Sequence, residues 1–254
     1  MSCRPTRTLH DVGLGAAKRV ARRVPTPMRR AARRLRGPAR WGNLRRLEPF
    51  SRGYDRERGT PINQVYLDEF FSEHAADISG RVLEVQDPQY TAAHGHDITR
   101  VDLVDIDPRN VDATIIADLG VPGVLPHDTF ACAIVPQTLQ YVGDPAIAID
   151  NLWQCLVPGG VLLVTLPALS RVESATRESD AWRTLVPGLR RLLEVGCPGA
   201  ESEVVGYGNL LAAIGMMLGL AAEELRPDEI AVNDPEYPVV VCARVRKPLP
   251  GESS

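Results

Sequence analysis

The chain predicts an α/β fold, a doubly wound and mostly parallel sheet with helices on both faces. Three observations predict it. Short apolar runs alternate with helical segments from residue 80 onward. Several of those runs end in an acid, as strands do that open onto a crevice at their carboxyl ends. At 254 residues, with 44% hydrophobic and 24% charged content, the chain can bury a full core.

The elements follow in order. "RGTPINQVYLDEFFSEHAADI" carries a helix start, with Thr60 placed to N-cap and Pro61 at the first helical position. Ile62, Val65, Tyr66, Phe70 and Ile78 supply its apolar face, and Gly80 closes the stretch. Strands are predicted at Val82–Val85, Thr99–Ile106, Thr114–Ala117, Phe130–Val135 and Val161–Leu166. Only 13 residues, Gln86 to Ile98, separate the first two strands, near the minimum for a parallel crossover. The helix between them must shrink to a turn or two around Tyr90 to His94, ended by Gly95. Ala146–Leu156 reads as a helix with Ile149, Leu152, Trp153 and Leu156 on one face, and Pro158-Gly159-Gly160 makes a turn. The 13-residue apolar run Leu210–Ala222 is too short to span a bilayer and reads as a buried helix.

From Leu125 to Pro167 the sequence resembles the second half of class I S-adenosylmethionine-dependent methyltransferases, of the type 11 kind. Leu125-Pro126, Phe130, Leu139, Val142, Asp144-Pro145, Leu156, Pro158-Gly159-Gly160 and Pro167 match the family pattern in order. "DAWRTLVPGLRRLLE", Asp180 to Glu194, is similar to a segment of sugar and natural-product members, departing at Leu185 and Val186. The resemblance covers roughly residues 80–245. It implies a seven-stranded sheet whose last strand is antiparallel, for which Tyr237–Val245 is the candidate.

The resemblance also implies a cofactor, S-adenosylmethionine, and the residues that hold it. Glu84 matches the acid that opens the family's glycine-rich loop, but Gln86, Pro88 and Tyr90 stand where three glycines are usual. Glycine serves there because a Cβ would collide with the ligand, and Pro88 also removes a backbone donor. Asp87 is an alternative partner for the cofactor's amino group. Asp105 or Asp107 takes the ribose hydroxyls, because a carboxylate suits a vicinal diol. Asp118 and Leu119 match the adenine-binding pair, and Gln137 lines the methionine pocket. Tyr141 stands where relatives often carry a histidine base, although a phenol is a weak base near neutral pH. A rim aromatic that holds the acceptor is the other role open to it. His74, His94, His96 and His127 are further candidates for a base, and Trp182 and Arg183 for holding a sugar or an anionic acceptor. No metal site is suggested, since Cys3, Cys132, Cys155, Cys197 and Cys242 lack ligand spacing. Cys132 and Cys242 fall in apolar runs and read as core, which fits a reducing cytosol.

Charge divides the chain. Met1–Leu47 holds 14 of the 29 Lys and Arg residues and one of the 32 acids, Asp11. That segment therefore carries +13 and the remainder −16. Val12, Ala16, Val20 and Val24 give it a thin helical face, and a second short piece runs from Met28 to Leu35. It has neither a membrane span nor a secretory signal core. The organisation expected is a basic arm, 1–47, partly disordered or amphipathic; a helical cap, 48–79; a methyltransferase-like domain, 80–248; and a disordered tail, 249–254. The arm suits an anionic membrane surface and, equally, a solvated basic tail that pairs loosely with the acidic body. It also suits nucleic acid, but no aromatics interleave with its arginines before Trp41, which weakens that reading. The expected activity is O-methylation of a sugar, glycan or other small polar metabolite, in a cytoplasm and at its inner membrane face. Two alternatives stand beside it. One is a degenerate binding or scaffold protein that has kept the fold, and the other is a nucleic-acid methyltransferase.

Overall fold

The computed structural model describes residues 28, 30, 32, 35, 40, 42–53 and 57–251. The chain forms two compact units, Met1–Leu47 and Glu48–Ser254. In the first, Met28, Arg30, Ala32 and Leu35 are helical, and Gly42–Leu44 is one 3-10 turn. The Val12–Val24 face, Cys3 and residues 252–254 lie outside the described residues.

The second unit is built on one seven-stranded sheet. Its strands are β1 Gly80–Val85, β2 Ile98–Asp105, β3 Ile115–Ile116, β4 Phe130–Val135, β5 Leu156–Pro167, β6 Glu201–Tyr207 and β7 Val240–Arg246. The order is β3-β2-β1-β4-β5-β7-β6. Strands β1 to β5 pair in parallel, and β7 lies antiparallel between β5 and β6. The helices are α1 Ile62–Glu73, α2 Gln89–His94, α3 Pro145–Cys155, α4 Val186–Gly196, α5 Leu210–Leu218 and α6 Pro227–Ile230.

Alternation along the strands splits the core in two. On β4, Ala133 and Val135 join Leu83, Ile149, Leu152, Leu189 and Leu193 under α3 and α4. Cys132 and Ile134 face the other way and meet Tyr66, Phe70, Phe71, Val82 and Ala212 under α1 and α5. The segment before β1 thus packs into the same core as the sheet. Cys132, Cys155, Cys197 and Cys242 are all buried and free.

Several local expectations change. Pro61, not Thr60, is the N-cap of α1, and it offers no side-chain cap. Thr60 instead donates its hydroxyl to Glu223 at 2.7 Å, and Glu223 also receives its N–H. Pro158-Gly159-Gly160 lies inside β5 rather than before it. A Cβ on Gly160 would sit 2.9–3.2 Å from the carbonyl oxygens of Val157, Phe130 and Ala131, so these glycines serve the backbone. The apolar run from Leu210 ends its helix at Gly219, which has φ 73°. It is only half buried: Leu210, Leu211, Ile214 and Met217 are exposed.

Candidate functional site

A crevice opens at the carboxyl ends of the parallel strands, where ligands of such sheets bind. Its volume is about 670 Å³, within the roughly 300–1,000 Å³ of small-molecule sites. Glu84 to Asp87, Asp105, Asp118, Leu119, Gln137 and Tyr141 all line it.

The loop after β1 holds no glycine, yet one of its residues keeps a glycine-type backbone. Gln86 has φ 73°, the left-handed conformation a glycine would take without strain. Its N–H donates to the Val104 carbonyl at 2.9 Å, and its carbonyl accepts from Asn110 Nδ2 at 2.8 Å. Both sides of the residue are therefore tied down. Tyr90 forms part of the crevice wall without filling the space. It is 4% exposed, its ring lies 4.0 Å from that of Phe71, and Gln64 Nε2 donates to its hydroxyl at 3.1 Å. Burial pushes its phenol up to about 12.

Glu84 does not reach a ligand as a free acid. It is fully buried and caps the short helix α2. Its carboxylate accepts from the Tyr90 N–H at 2.8 Å, the Thr91 N–H at 2.9 Å and the Thr91 hydroxyl at 2.5 Å. Burial raises its pKa, against the lowering effect of those hydrogen bonds. Asp87 is exposed and accepts from the Gln89 N–H at 3.1 Å.

The structure separates Asp105 from Asp107. Asp105 lines the crevice; one oxygen accepts from the Asp107 N–H at 2.9 Å and the other from Asn110 Nδ2 at 2.8 Å. Each oxygen keeps a further lone pair. Asp107 lies instead in a shallow neighbouring depression with Arg109 and Asp112. Arg109 grips both its oxygens, at 2.7–3.1 Å, and holds its carboxyl down at about 2.

Asp118 is exposed at the far end, with one oxygen accepting from the Gly120 N–H at 2.8 Å. Leu119 beside it is buried. Asn151 of α3 positions this loop, donating to the Leu119 and Val121 carbonyls and accepting from the Gly123 N–H, each at 2.8 Å. Gln137 also has a left-handed φ, 44°, and its N–H and Nε2 both reach the buried Thr165 hydroxyl. Tyr141 is half-buried on the 3-10 turn Leu139–Tyr141.

Sequence reasoning passed over much of the lining. Ser51, Asn63, Gln64, Met216 and Met217 close one side. Leu169–Arg171, Glu173, Thr176, Ser179 and Asp180 cover the end above β4 and β5. Trp182 and Arg183 do not line the cavity but fasten this covering segment. Trp182 Nε1 donates to the Val142 carbonyl at 2.9 Å. Arg183 pairs with Asp180 at 2.6 and 2.9 Å and donates to the Arg171 carbonyl at 2.9 Å. Among the described residues, none of His74, His94, His96 and His127 lines the cavity.

No protein-family model matches the sequence, and no curated protein does. Solved structures do resemble the fold. The [4+2]-cyclase SpnF matches with a TM-score of 0.50 at 16% identity, over 80% of this chain and 89% of that one. An S-adenosylmethionine-dependent methyltransferase from Mesorhizobium loti gives 0.49 at 16% identity, over 73% and 100%. The N-methyltransferase NodS from Bradyrhizobium japonicum, in complex with S-adenosyl-L-homocysteine, gives 0.48 at 16%, over 81% and 94%. With its sheet order, its antiparallel β7 and the likeness to the cyclase structure, the chain adopts the class I methyltransferase fold.

Proposed function

We propose that the protein is an S-adenosylmethionine-dependent methyltransferase acting on a hydroxyl of a sugar, glycan or other small polar metabolite. The observation that carries this reading is the crevice that runs from Asp105 to Asp118 and stays open although its loop has no glycine. In it, Asp105 would accept from the ribose hydroxyls and Asp118 from the adenine amino group. Leu119 would pack on the ring, and Gln86, Asp87 and Gln137 would border the methionine end. When bound, that cofactor supplies an electrophilic methyl group on a sulfonium centre.

The remaining work falls to the chain. Holding an acceptor oxygen in line with the methyl group lowers the barrier through orientation. Tyr141 and the covering segment Leu169–Asp180 border that end, and Ser170, Thr176 and Ser179 offer hydroxyls to a polar acceptor. The lining carries Glu84, Asp87, Asp105, Asp118, Glu173 and Asp180 against Arg171. Such a field favours cationic and uncharged ligands over phosphates, which argues against nucleic acid in this crevice.

We assign the basic arm to an anionic membrane surface, the inner membrane face, on its +13 charge. No helix among the described residues is long and apolar enough to cross a membrane. The glycine-free loop favours one rival, a binding protein of this fold without methyl transfer.

The test is transfer of labelled methyl from S-adenosylmethionine to a panel of sugars and polar metabolites, alongside cofactor affinity. Asp118→Ala is expected to weaken cofactor binding by about 1–3 kcal/mol, or roughly 5- to 150-fold. Cofactor binding without any transfer would favour the rival.

A further inference from the structure

Helix α5 reverses the usual order of an amphipathic helix. Such a helix turns its large apolar side chains to the core and its polar ones to water. The nine residues of α5, Leu210–Leu218, include no polar or charged side chain. Its packed side is made of small residues, Ala212, Ala213 and Gly215. The two alanines join the core of Tyr66, Phe70 and Phe71. A Cβ on Gly215 would lie 3.0 Å from Ile62 Cδ1, so this side has little room for anything larger. The large residues face out instead: Leu210, Leu211, Ile214 and Met217 are each between 42% and 49% exposed. At i, i+1, i+4 and i+7 they form one stripe along the helix. A contiguous exposed apolar surface of this kind marks a place of contact with a partner or a membrane.

The surroundings of the stripe say which. The chain enters the second unit beside this helix, where the Phe50 N–H donates to the Leu218 carbonyl at 2.6 Å. The arm, 1–47, with its charge of +13, is therefore tethered close to the end of α5. The stripe holds only Leu, Ile and Met, without the aromatic and arginine anchors that dominate protein interfaces. Apolar side chains that enter the acyl boundary, joined to a dense positive charge, are the two signals that hold a protein on an anionic bilayer. Both are needed here, because the rest of the chain carries −16 and an anionic surface would repel it. Met217 belongs to the stripe and also lines the crevice, with Met216 and Pro49.

We propose that the exposed stripe of α5 is a membrane-docking face: Leu210, Leu211, Ile214 and Met217 enter the acyl boundary of an anionic bilayer while the arm supplies the attraction. The crevice edge at Met217 then adjoins the lipid surface. This goes beyond the assignment of the arm and rests on it for the attraction alone.

The experiment compares the full-length wild type with the full-length double variant Leu211→Gln and Ile214→Gln. Neither residue lines the crevice. Sedimentation with vesicles of phosphatidylcholine and phosphatidylglycerol is measured at low and high salt, with oligomeric state and melting temperature alongside. Salt screens the arm but not an apolar contact, so binding that survives high salt reports the stripe. The wild type is expected to keep part of its binding at high salt, and the double variant to lose that part by about tenfold or more. Its melting temperature should stay within about 4 °C of wild type, since glutamine suits an exposed helix position. Equal binding by the two proteins at both salts would overturn the proposal and leave the arm as the lipid contact. A wild-type dimer that the double variant dissolves, with vesicle binding unchanged, would overturn it in favour of a second copy. A larger fall in melting temperature would also overturn it, because the stripe would then be packed against the chain itself. Binding that salt does not weaken but the double variant loses would keep the stripe and refute the arm. A wild type that binds no vesicles would refute both.

Discussion

Replacing Gln86 with glycine tests whether the loop after β1 keeps a glycine conformation under tension. Gln86 is exposed, with φ 73°, and its N–H and carbonyl are tied to Val104 and Asn110. A left-handed conformation costs an L-residue about 1–2 kcal/mol. Glycine avoids that cost but loses about 0.5–1 kcal/mol through its freer unfolded chain. Gln86→Gly should therefore stabilise the protein by about 0.5–1 kcal/mol, or about 1–4 °C in melting temperature for a unit of this size. Gln86→Val, β-branched in the same conformation, should destabilise by about 1–2 kcal/mol. The assay is urea unfolding with the slope monitored, so that midpoint shifts report stability. S-adenosylhomocysteine affinity should be no weaker in the glycine variant. Equal midpoints for the glycine and valine variants would refute the reasoning, because the backbone would then be relaxing out of the left-handed region.

Three further outcomes are expected. Glu84 has a raised pKa, so its contribution to stability is greatest below the ordinary glutamate value of 4.5 and falls as pH rises through the folded value; Glu84→Gln should abolish that slope in unfolding measured from pH 4 to 7, and an unchanged slope would contradict the assignment. Arg183→Met removes the partner of Asp180, whose side chain is 2% exposed, and should speed proteolysis between residues 169 and 180 by about tenfold or more, the effect of at least 1.4 kcal/mol of lost local stability; equal cleavage rates would show that the ion pair does not fasten this segment. Deleting residues 1–40 should leave the second unit folded and reduce binding to anionic vesicles, with added salt having the same effect on the full chain; equal vesicle binding by both chains would remove the membrane role.

The central sheet was legible because its strands carry apolar runs that alternate between two cores, as Cys132 and Ala133 do. Strand β6 was not legible. "ESEVVGY" mixes acids with few apolar residues, as suits a sheet edge, and its Glu201 and Glu203 register with Arg246 and Arg244 only through β7. The short helix α2 could be read from chain length alone, but its cap could not. Glu84 lies six and seven residues from the amides it accepts, so its role appears only once the loop is folded. Lost glycines at Gln86 and Tyr90 were visible in the sequence, but their consequence was not. Contacts from Val104 and Asn110 keep the first position left-handed, and packing on Phe71 holds Tyr90 in the crevice wall, 4% exposed. The different surroundings of Asp105 and Asp107 likewise depend on Arg109, two residues beyond Asp107, which grips the second acid.

The most direct test of the account is calorimetric titration of the wild-type chain with S-adenosylhomocysteine. Saturable binding with one site per chain is expected, weakened by Asp118→Ala and by Asp105→Asn but not by Asp107→Asn. A folded protein that takes up no S-adenosylhomocysteine at millimolar concentration, or one equally weakened by Asp107→Asn, would contradict it.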